Sequence, residues 1–368
     1  MNNSSHTVKT AYLTNLLAAW YGQLIGDAYG STYEFSSPLT YIRSEAIKLI
    51  GGGPFSWKPG QVTDDSQMAT GIAKMYLRAG SYNRAIHREE MLAWINSSPP
   101  DVGSWTRQAL SAWSRSGIVN ATSNNVEKHP VYRLWKDGGA DNAGNGGPMK
   151  CVPTLLANPR TWSRISETKK ICEDTHPDPR CWLGSIYVVE MANELALGYA
   201  PDVAHHTACI RVLKAADLYK ADGRYTDLVL NALEGTGRVA WQHWNNGGYV
   251  IPTIRTVSAA VRQADSFEHG LRMVISRGGD TDTVGAIAGV LLGARFGIGS
   301  EKGVDLGLVR QLHDQSLPGL GESLLKLRNT RMVSARLRAK KIWPRGDLAL
   351  SFIRDSSACC LLSVSQAS

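Results

Sequence analysis

The chain is poor in several things that would have narrowed its chemistry at once. Its six cysteines, Cys151, Cys172, Cys181, Cys209, Cys359 and Cys360, form no C-x-x-C pair. That argues against a disulfide framework or a thiolate zinc site and points to a reducing compartment. Long hydrophobic runs are missing too: "VGAIAGVLLGA", from residue 284, falls well short of the about 20 residues that a membrane-spanning helix needs. No membrane anchor is expected, and with no targeting signal a cytoplasmic location is. The stretch "AYLTNLLAAWYGQLIGDAYG" could pass for a signal peptide, but Leu13, Leu16, Leu17, Trp20 and Leu24 recur on one helical face and read as a core helix. Strand signals are rare, and neither an internal repeat nor a long linker is found, so residues 1–368 are expected to form one domain.

Charge excludes less. The formal net charge is +8, from 40 Lys and Arg against 32 Asp and Glu, which suits an anionic partner. The basic residues are scattered, however, and no nucleic-acid-binding motif is present. The one dense basic stretch, "RLRAKKIWPR" at 336–345, reads as a solvated helix face. No nucleic-acid partner is expected.

What is present is helical periodicity. "DDSQMATGIAKMYLRAG" puts Met68, Ile72, Met75 and Tyr76 on one side, and the run after Thr283 repeats the pattern with Val284, Ile287, Ala288, Leu291 and Leu292. "GGYVIPTIRTVSAAVRQA" opens β-prone and turns helical. Residues 31–63, 96–105 and 117–150, rich in Gly, Ser, Pro or Asn, are expected as loops. The periodicity predicts an all-α fold.

Two acidic turns stand at the entrances of such helices: Thr63, Asp64 and Asp65 in "QVTDDSQMA", and Asp280, Asp282 and Thr283 in "GGDTDTVGA". One acid there is a helix cap. Adjacent acids repel, and a bound cation removes that cost; carboxylate and hydroxyl oxygens are the donors that Mg²⁺, Mn²⁺ or Ca²⁺ take. Should the two turns face one cavity, they could hold two such cations. Asp27 reads as a structural acid bonding loop amides, and Glu34 as one able to reach a cavity. Asp101, read alone, is the N-cap of the helix containing Trp105. The glycine-rich "GGADNAGNGGPMK" at 138–150 could wrap amides round a phosphate, or be a plain surface loop.

In order, "GQLIGDAYGSTYEF", "TDDSQMATGIA", "PPDVG", "GNGGPMK", "THPDPR", "GGYVIPT" and "GGDTDTVGAIAGVLLGARFG" resemble the ADP-ribosylglycohydrolase family, above all its bacterial dinitrogenase-reductase activating glycohydrolase branch. The resemblance implies a compact orthogonal multi-helix bundle, with a core over about 11–300 and a C-terminal helical extension over 301–368. It implies a binuclear site for Mg²⁺ or Mn²⁺, with Thr63, Asp64, Asp65, Asp280, Asp282 and Thr283 as metal ligands. Asp101 or Glu34 would be the catalytic base. Gly144, Asn145, Gly146, Gly147 and Met149 would hold the diphosphate, His176 would lie beside the distal ribose and phosphates, and Tyr249 would stack on adenine; without the family Tyr249 reads as a core tyrosine.

The implied activity is hydrolysis of ADP-ribose from modified side chains, arginine N-linked first, with serine-linked or O-acyl ADP-ribose as rivals. The implied partner is an ADP-ribosylated protein. An alternative from another class is an immunity-like protein that binds a cognate ADP-ribosyltransferase and blocks it. The chain departs from the family at Pro148 and at Lys150, where Arg is usual; lysine keeps the charge but loses the forked donors. Residues 37–60 and those beyond about 300 match none of the motifs.

Overall fold

The structure is a computed structural model that describes residues 2–39, 46–116, 125–238, 240 and 243–342, with side chains described from Lys9 to Met332. Cys359, Cys360 and the side chains of the basic stretch 336–345 lie outside it. Among the described residues there are fifteen α-helices and no sheet, only isolated bridges at Gly52–Trp57, Gly144–Tyr249 and Ile298–Val304. The all-α expectation holds. No helix among them is long and apolar enough to cross a membrane.

Helix α1 (Asn2–Gly30) begins the framework that positions the site. Its face carrying Leu16, Trp20 and Leu24 is fully buried, with Leu13 and Leu17 packed at its edge, as the periodicity predicts for a core helix. The Trp20 indole N–H donates to the Leu317 carbonyl at 2.9 Å, which ties α1 to the last helix. Helix α2 (Asp64–Ala79) buries Met68, Ile72, Met75 and Tyr76, and ends at Gly80 in the left-handed region, φ 72°. Helix α3 is Arg84–Asn96 and α4 is Ser104–Arg115.

One expectation fails locally. Residues 117–150 are not all loop, because Pro130–Asp137 forms helix α5, opened by a proline at its first position and burying Val131 and Trp135. Two buried positions over two turns give too little periodicity to stand out beside the glycine-rich stretch that follows. Helices α6 (Val152–Ala157), α7 (Thr161–Glu173), α8 (Pro179–Ala196), α9 (Pro201–Leu218) and α10 (Gly223–Leu233) come next, then α11 (Val250–Gln263) and α12 (Phe267–Ile275). Helix α13 (Thr281–Phe296) is followed by α14 (Leu306–Arg310) and α15 (Leu317–Ile342).

Helix α1 packs closely on α13. A Cβ placed on Gly22 would stand 2.1 Å from the Gly289 carbonyl oxygen, one on Gly26 2.0 Å from that of Gly285, and one on Gly30 2.2 Å from that of Thr281. The partner numbers fall as the α1 numbers rise, so the helices run antiparallel, backbone on backbone. The C-terminus of α1 therefore meets the N-terminus of α13, where the Thr281 hydroxyl donates to the Gly30 carbonyl at 2.7 Å. Side chains larger than hydrogen would force the helices apart and break that register.

Alanine at Gly26 or Gly285 is expected to destabilise the protein despite alanine's advantage of up to about 1 kcal/mol within a helix, because overpacking against immobile backbone costs about 1–3 kcal/mol. Gly319→Ala in α15, where nothing stands within 4 Å of the added methyl, should stabilise it. Urea unfolding of the three variants checks this, and equal midpoints would contradict the close-contact account.

Candidate functional site

At the crossing of α1 and α13 the chain collects acids. Asp27, on the last turn but one of α1, is fully buried and accepts the backbone N–H groups of Thr63 at 2.9 Å and Ser66 at 3.0 Å. It thereby caps α2 from another helix, as the reading of Asp27 as a structural acid anticipates. Asp64 and Asp65 are thus freed from capping. Thr63 is the N-cap residue of α2 and Asp280 that of α13, yet neither side chain makes a capping bond. Asp101 is not a cap either: the N-cap of α4 is Gly103.

These acids converge instead. Carboxylate oxygens of Asp64, Asp65 and Asp282 lie within 4.8 Å of one another, and so do those of Glu34, Asp101 and Asp282. Asp282 belongs to both groups and joins them. Asp65 Oδ2 accepts the Thr63 hydroxyl at 3.0 Å and the Thr283 hydroxyl at 3.4 Å, one from each turn. Asp280 stands beside them and accepts the side-chain amide of Asn145 at 2.6 Å. The two acidic turns therefore face each other, and Glu34 and Asp101 join them there.

The electrostatics are severe. Two unit charges 4 Å apart repel by about 4 kcal/mol at an effective dielectric constant of about 20, so the three pairs within one such group would cost about 12 kcal/mol, comparable to the whole stability of a domain. Among the described residues none of the ion pairs includes these acids. Without a cation, burial and mutual repulsion favour the protonated forms. Burial first, then Asp101, Asp280 and Asp27, pushes Glu34 up to about 8. Burial and Asp280 push Asp101 up to about 6. Burial and neighbouring carboxylates raise Asp64, Asp65 and Asp282 well above the usual range.

One further observation favours a metal. Glu34 Oε2, Asp65 Oδ1 and Asp282 Oδ1 are buried without a hydrogen-bond partner, a condition that native proteins seldom leave unexplained. The donors are hard oxygens throughout, and the N-termini of α2 and α13 bring positive dipole ends to the same place.

The glycine-rich loop borders this centre. Its residues 145–150 are buried rather than forming a surface loop. Asn145 donates to Asp280 and to the Thr253 hydroxyl, the latter at 3.2 Å, and its N–H reaches the Gly248 carbonyl at 3.0 Å. Gly144, Gly146 and Gly147 all keep ordinary negative φ, so backbone freedom is not why they are glycine. For Gly146 and Gly147 close approach is: a Cβ on Gly146 would stand 2.5 Å from His176 Nε2, and one on Gly147 2.7 Å from Cys172 Sγ, whereas the atom nearest a Cβ on Gly144, the Gly248 carbonyl oxygen, is 3.8 Å away.

His176 lies buried against this loop, held neutral by burial and by Lys150. Met149 is buried in the core, and its carbonyl accepts the Gln23 side-chain amide at 2.9 Å. Lys150 is fully buried too, and its ammonium donates to the Gly146 carbonyl within the same loop. Tyr249 is not a core residue: it is 39% exposed and paired across the bridge with Gly144.

Arg180 was not expected. It lies in the "THPDPR" stretch, where its forked contacts to Asp178, two residues earlier, were not foreseen; its Nε and Nη2 donate to Asp178 at 2.8 and 2.7 Å, and Nη2 also to Asp141 at 2.6 Å. Its Nη1 donates to the Tyr249 hydroxyl at 2.9 Å. The described cysteines have no chemical part here. Cys151, Cys172, Cys181 and Cys209 are free thiols, and burial raises all four.

The chain is similar to known proteins over most of its length. The family model described as ADP-ribosylglycohydrolase matches residues 9–334. The ADP-ribosyl-[dinitrogen reductase] glycohydrolase of Rhodospirillum rubrum is 28% identical over 291 residues, covering 77% of this chain and 85% of that one. The ADP-ribosylarginine hydrolase Tri1 of Serratia proteamaculans is 27% identical over 284 residues, covering 75% and 70%. A solved structure titled ADP-ribosylglycohydrolase-related protein complex superposes with a TM-score of 0.67 at 24% identity, over 87% of this chain and 99% of that one, a likeness of fold. The match to nearly the whole length places this chain in the ADP-ribosylglycohydrolase family, and it is accordingly a hydrolytic enzyme.

Proposed function

We propose that the chain is a metal-dependent hydrolase that removes ADP-ribose from modified arginine side chains of proteins and so reverses mono-ADP-ribosylation. The observation that carries this reading is the buried, unneutralised cluster of carboxylates bordered by the glycine-rich loop. The relatives named for dinitrogen reductase and for ADP-ribosylarginine supply the substrate class.

In this reading Thr63, Asp64, Asp65, Asp280, Asp282 and Thr283 hold two divalent cations, Mg²⁺ or Mn²⁺. When bound, the cations neutralise the carboxylates and supply Lewis-acid help to the ribose hydroxyls and the water. The remaining steps belong to the chain. Residues Gly144 to Met149 carry the diphosphate beside neutral His176, and Tyr249 carries the adenine. The ribose then lies towards Asp282, with C1″ facing Asp101 and Glu34.

Water attacks C1″ as the bond to the guanidine nitrogen breaks, through an oxocarbenium-like state; the nitrogen keeps the bonding pair and leaves as a guanidine that takes a proton from solvent, and the proton lost by the water passes to a carboxylate. By resemblance to the family Asp101 takes that role, with Glu34 beside it in the same group of acids. Asn145 links the two halves of the site through its bond to Asp280.

Incubation with an arginine-ADP-ribosylated protein should release free ADP-ribose with Mg²⁺ or Mn²⁺ present and none with EDTA. Release from neither arginine-, serine- nor O-acyl-linked substrates would overturn the assignment. The Asp64→Ala, Asp65→Ala double variant should lose at least about 100-fold in rate, since metals contribute several kcal/mol and each 1.4 kcal/mol is tenfold. Protection of a target that survives this double change would point to physical blocking of a transferase instead. Asp101→Asn should cost about 10²–10⁴-fold, the usual range for a lost general base.

Stability provides a second test. In the metal-free protein the acids' folded pKa values lie above their unfolded values of about 4, so the folded state binds more protons than the unfolded one. Stability conferred by those protons is present below pH 4 and falls as pH rises towards about 8, the value reached by Glu34. Cations displace the same protons, so the rise in Tm on adding Mg²⁺ or Mn²⁺ should grow from pH 5 to pH 8. A Tm at pH 8 that ignores both ions would refute the metal site.

A further inference from the structure

Resting on the reading that ADP-ribose occupies this site, we infer that Arg180 is a positioning residue that holds Tyr249 as a preformed platform for the nucleobase, through a hydrogen bond to its hydroxyl and a charge-locked guanidinium. Tyr249 is an unusual aromatic. It is 39% exposed, yet both ends are pinned. Its backbone is bridged to Gly144, and the next N–H, that of Val250, donates to the Ala143 carbonyl at 2.9 Å. Its hydroxyl accepts from Arg180 Nη1 at 2.9 Å. A tyrosine fixed at its Cα and at its phenol oxygen keeps little freedom in its two side-chain torsions.

Arg180 is itself immobile. It is buried in the first turn of α8, and its own N–H caps onto Asp178 Oδ1 at 2.9 Å. Asp178, fully buried, takes the guanidinium fork with both oxygens and also accepts the Trp135 indole N–H at 3.2 Å. Asp141, whose side chain is 80% exposed, holds the other side of Nη2. The guanidinium carbon lies 5.3 Å from the centre of the Tyr225 ring and 5.5 Å from that of Tyr249. Beyond Tyr225 the Arg224 guanidinium lies 4.9 Å from the same ring, and the Tyr225 hydroxyl donates to the Ala140 carbonyl at 3.3 Å.

Cation and ring thus alternate, Arg224, Tyr225, Arg180, Tyr249, and the series ends at the half-exposed tyrosine. Such an arrangement gives an aromatic ligand a rigid surface, and rigidity is what it contributes to affinity. Ordering a loose side chain on binding costs about 0.5–1.5 kcal/mol, roughly three- to tenfold in Kd. Rings with only two torsions are well suited to that use.

The test measures Kd calorimetrically for ADP-ribose and for ribose 5-phosphate, which lacks the base, with Mg²⁺ present throughout. Arg180→Met and Tyr249→Phe, which removes only the hydroxyl, should each weaken ADP-ribose about three- to tenfold. The double variant should be no weaker than the worse single one, as expected of two residues acting through one bond, and Arg180→Lys should recover part of the loss. Ribose 5-phosphate should bind all of them alike. Should Arg180→Met fail to fold, because it uncovers Asp178, Tyr249→Phe decides alone.

A Tyr249→Phe variant that binds ADP-ribose as the wild type does overturns the inference. So do effects that multiply, or a parallel loss of ribose 5-phosphate. A wild-type protein that binds no ADP-ribose at all overturns the proposed function, whereas one that binds it with unaffected variants overturns only the platform.

Discussion

Everything at the site depends on how closely two backbones approach. Gly22, Gly26 and Gly30 on one helix face Gly289, Gly285 and Thr281 on the other, carbonyl against Cα, with no room for a methyl group between them. Because the helices are antiparallel, this contact carries the entrance of α13 to the exit of α1. Asp27, near that exit, then draws in the entrance of α2 by accepting two of its amides. Three chain segments far apart in sequence end at one place, and each arrives with carboxylates. A looser helix pair would separate those carboxylates and relieve their repulsion.

The fold therefore opposes its own electrostatics, and the packing shows which prevails. Burial of Ile72, Trp20, Leu24 and Leu291 is non-directional and substantial, about 1.5–3 kcal/mol for each large side chain. It is enough to hold protonated acids together in the absence of metal, but not several buried ionised ones. A site built in this way is stable when neutral, whether the neutralising charge is a proton or a cation. The orphaned oxygens of Glu34, Asp65 and Asp282 mark where protons alone satisfy it poorly.

Much of this was legible in the sequence, and the boundary of legibility has physical causes. Helices α1, α2 and α13 could be read because their large apolar residues recur at helical spacing, although α13 is buried on every side from Thr281 to Ala294. Acids in adjacent positions at two helix entrances exceed what capping requires, and that excess was visible as well. Helix α5 was not, since Val131 and Trp135 alone set its buried side. The place of Asp101 beside the acids came only from the family resemblance, because its proximity to Glu34 and Asp282 comes from chain tracing and not from spacing. The loop glycines read as amides able to wrap a phosphate or as a plain surface loop, whereas Gly146 and Gly147 are required by contact with His176 and Cys172, which no local pattern encodes.

Lys150 illustrates the same limit and completes the electrostatic picture. As the one charge at the end of a glycine-rich loop it reads as a partner for a diphosphate; in the fold it points inward, fully buried, onto the Gly146 carbonyl. It braces the loop from within and places a positive charge behind it, near enough to help keep His176 neutral. At the other end of the same loop Asn145 is bonded to Asp280 and so to the acids. The loop thus lies between a buried ammonium and the cluster of acids.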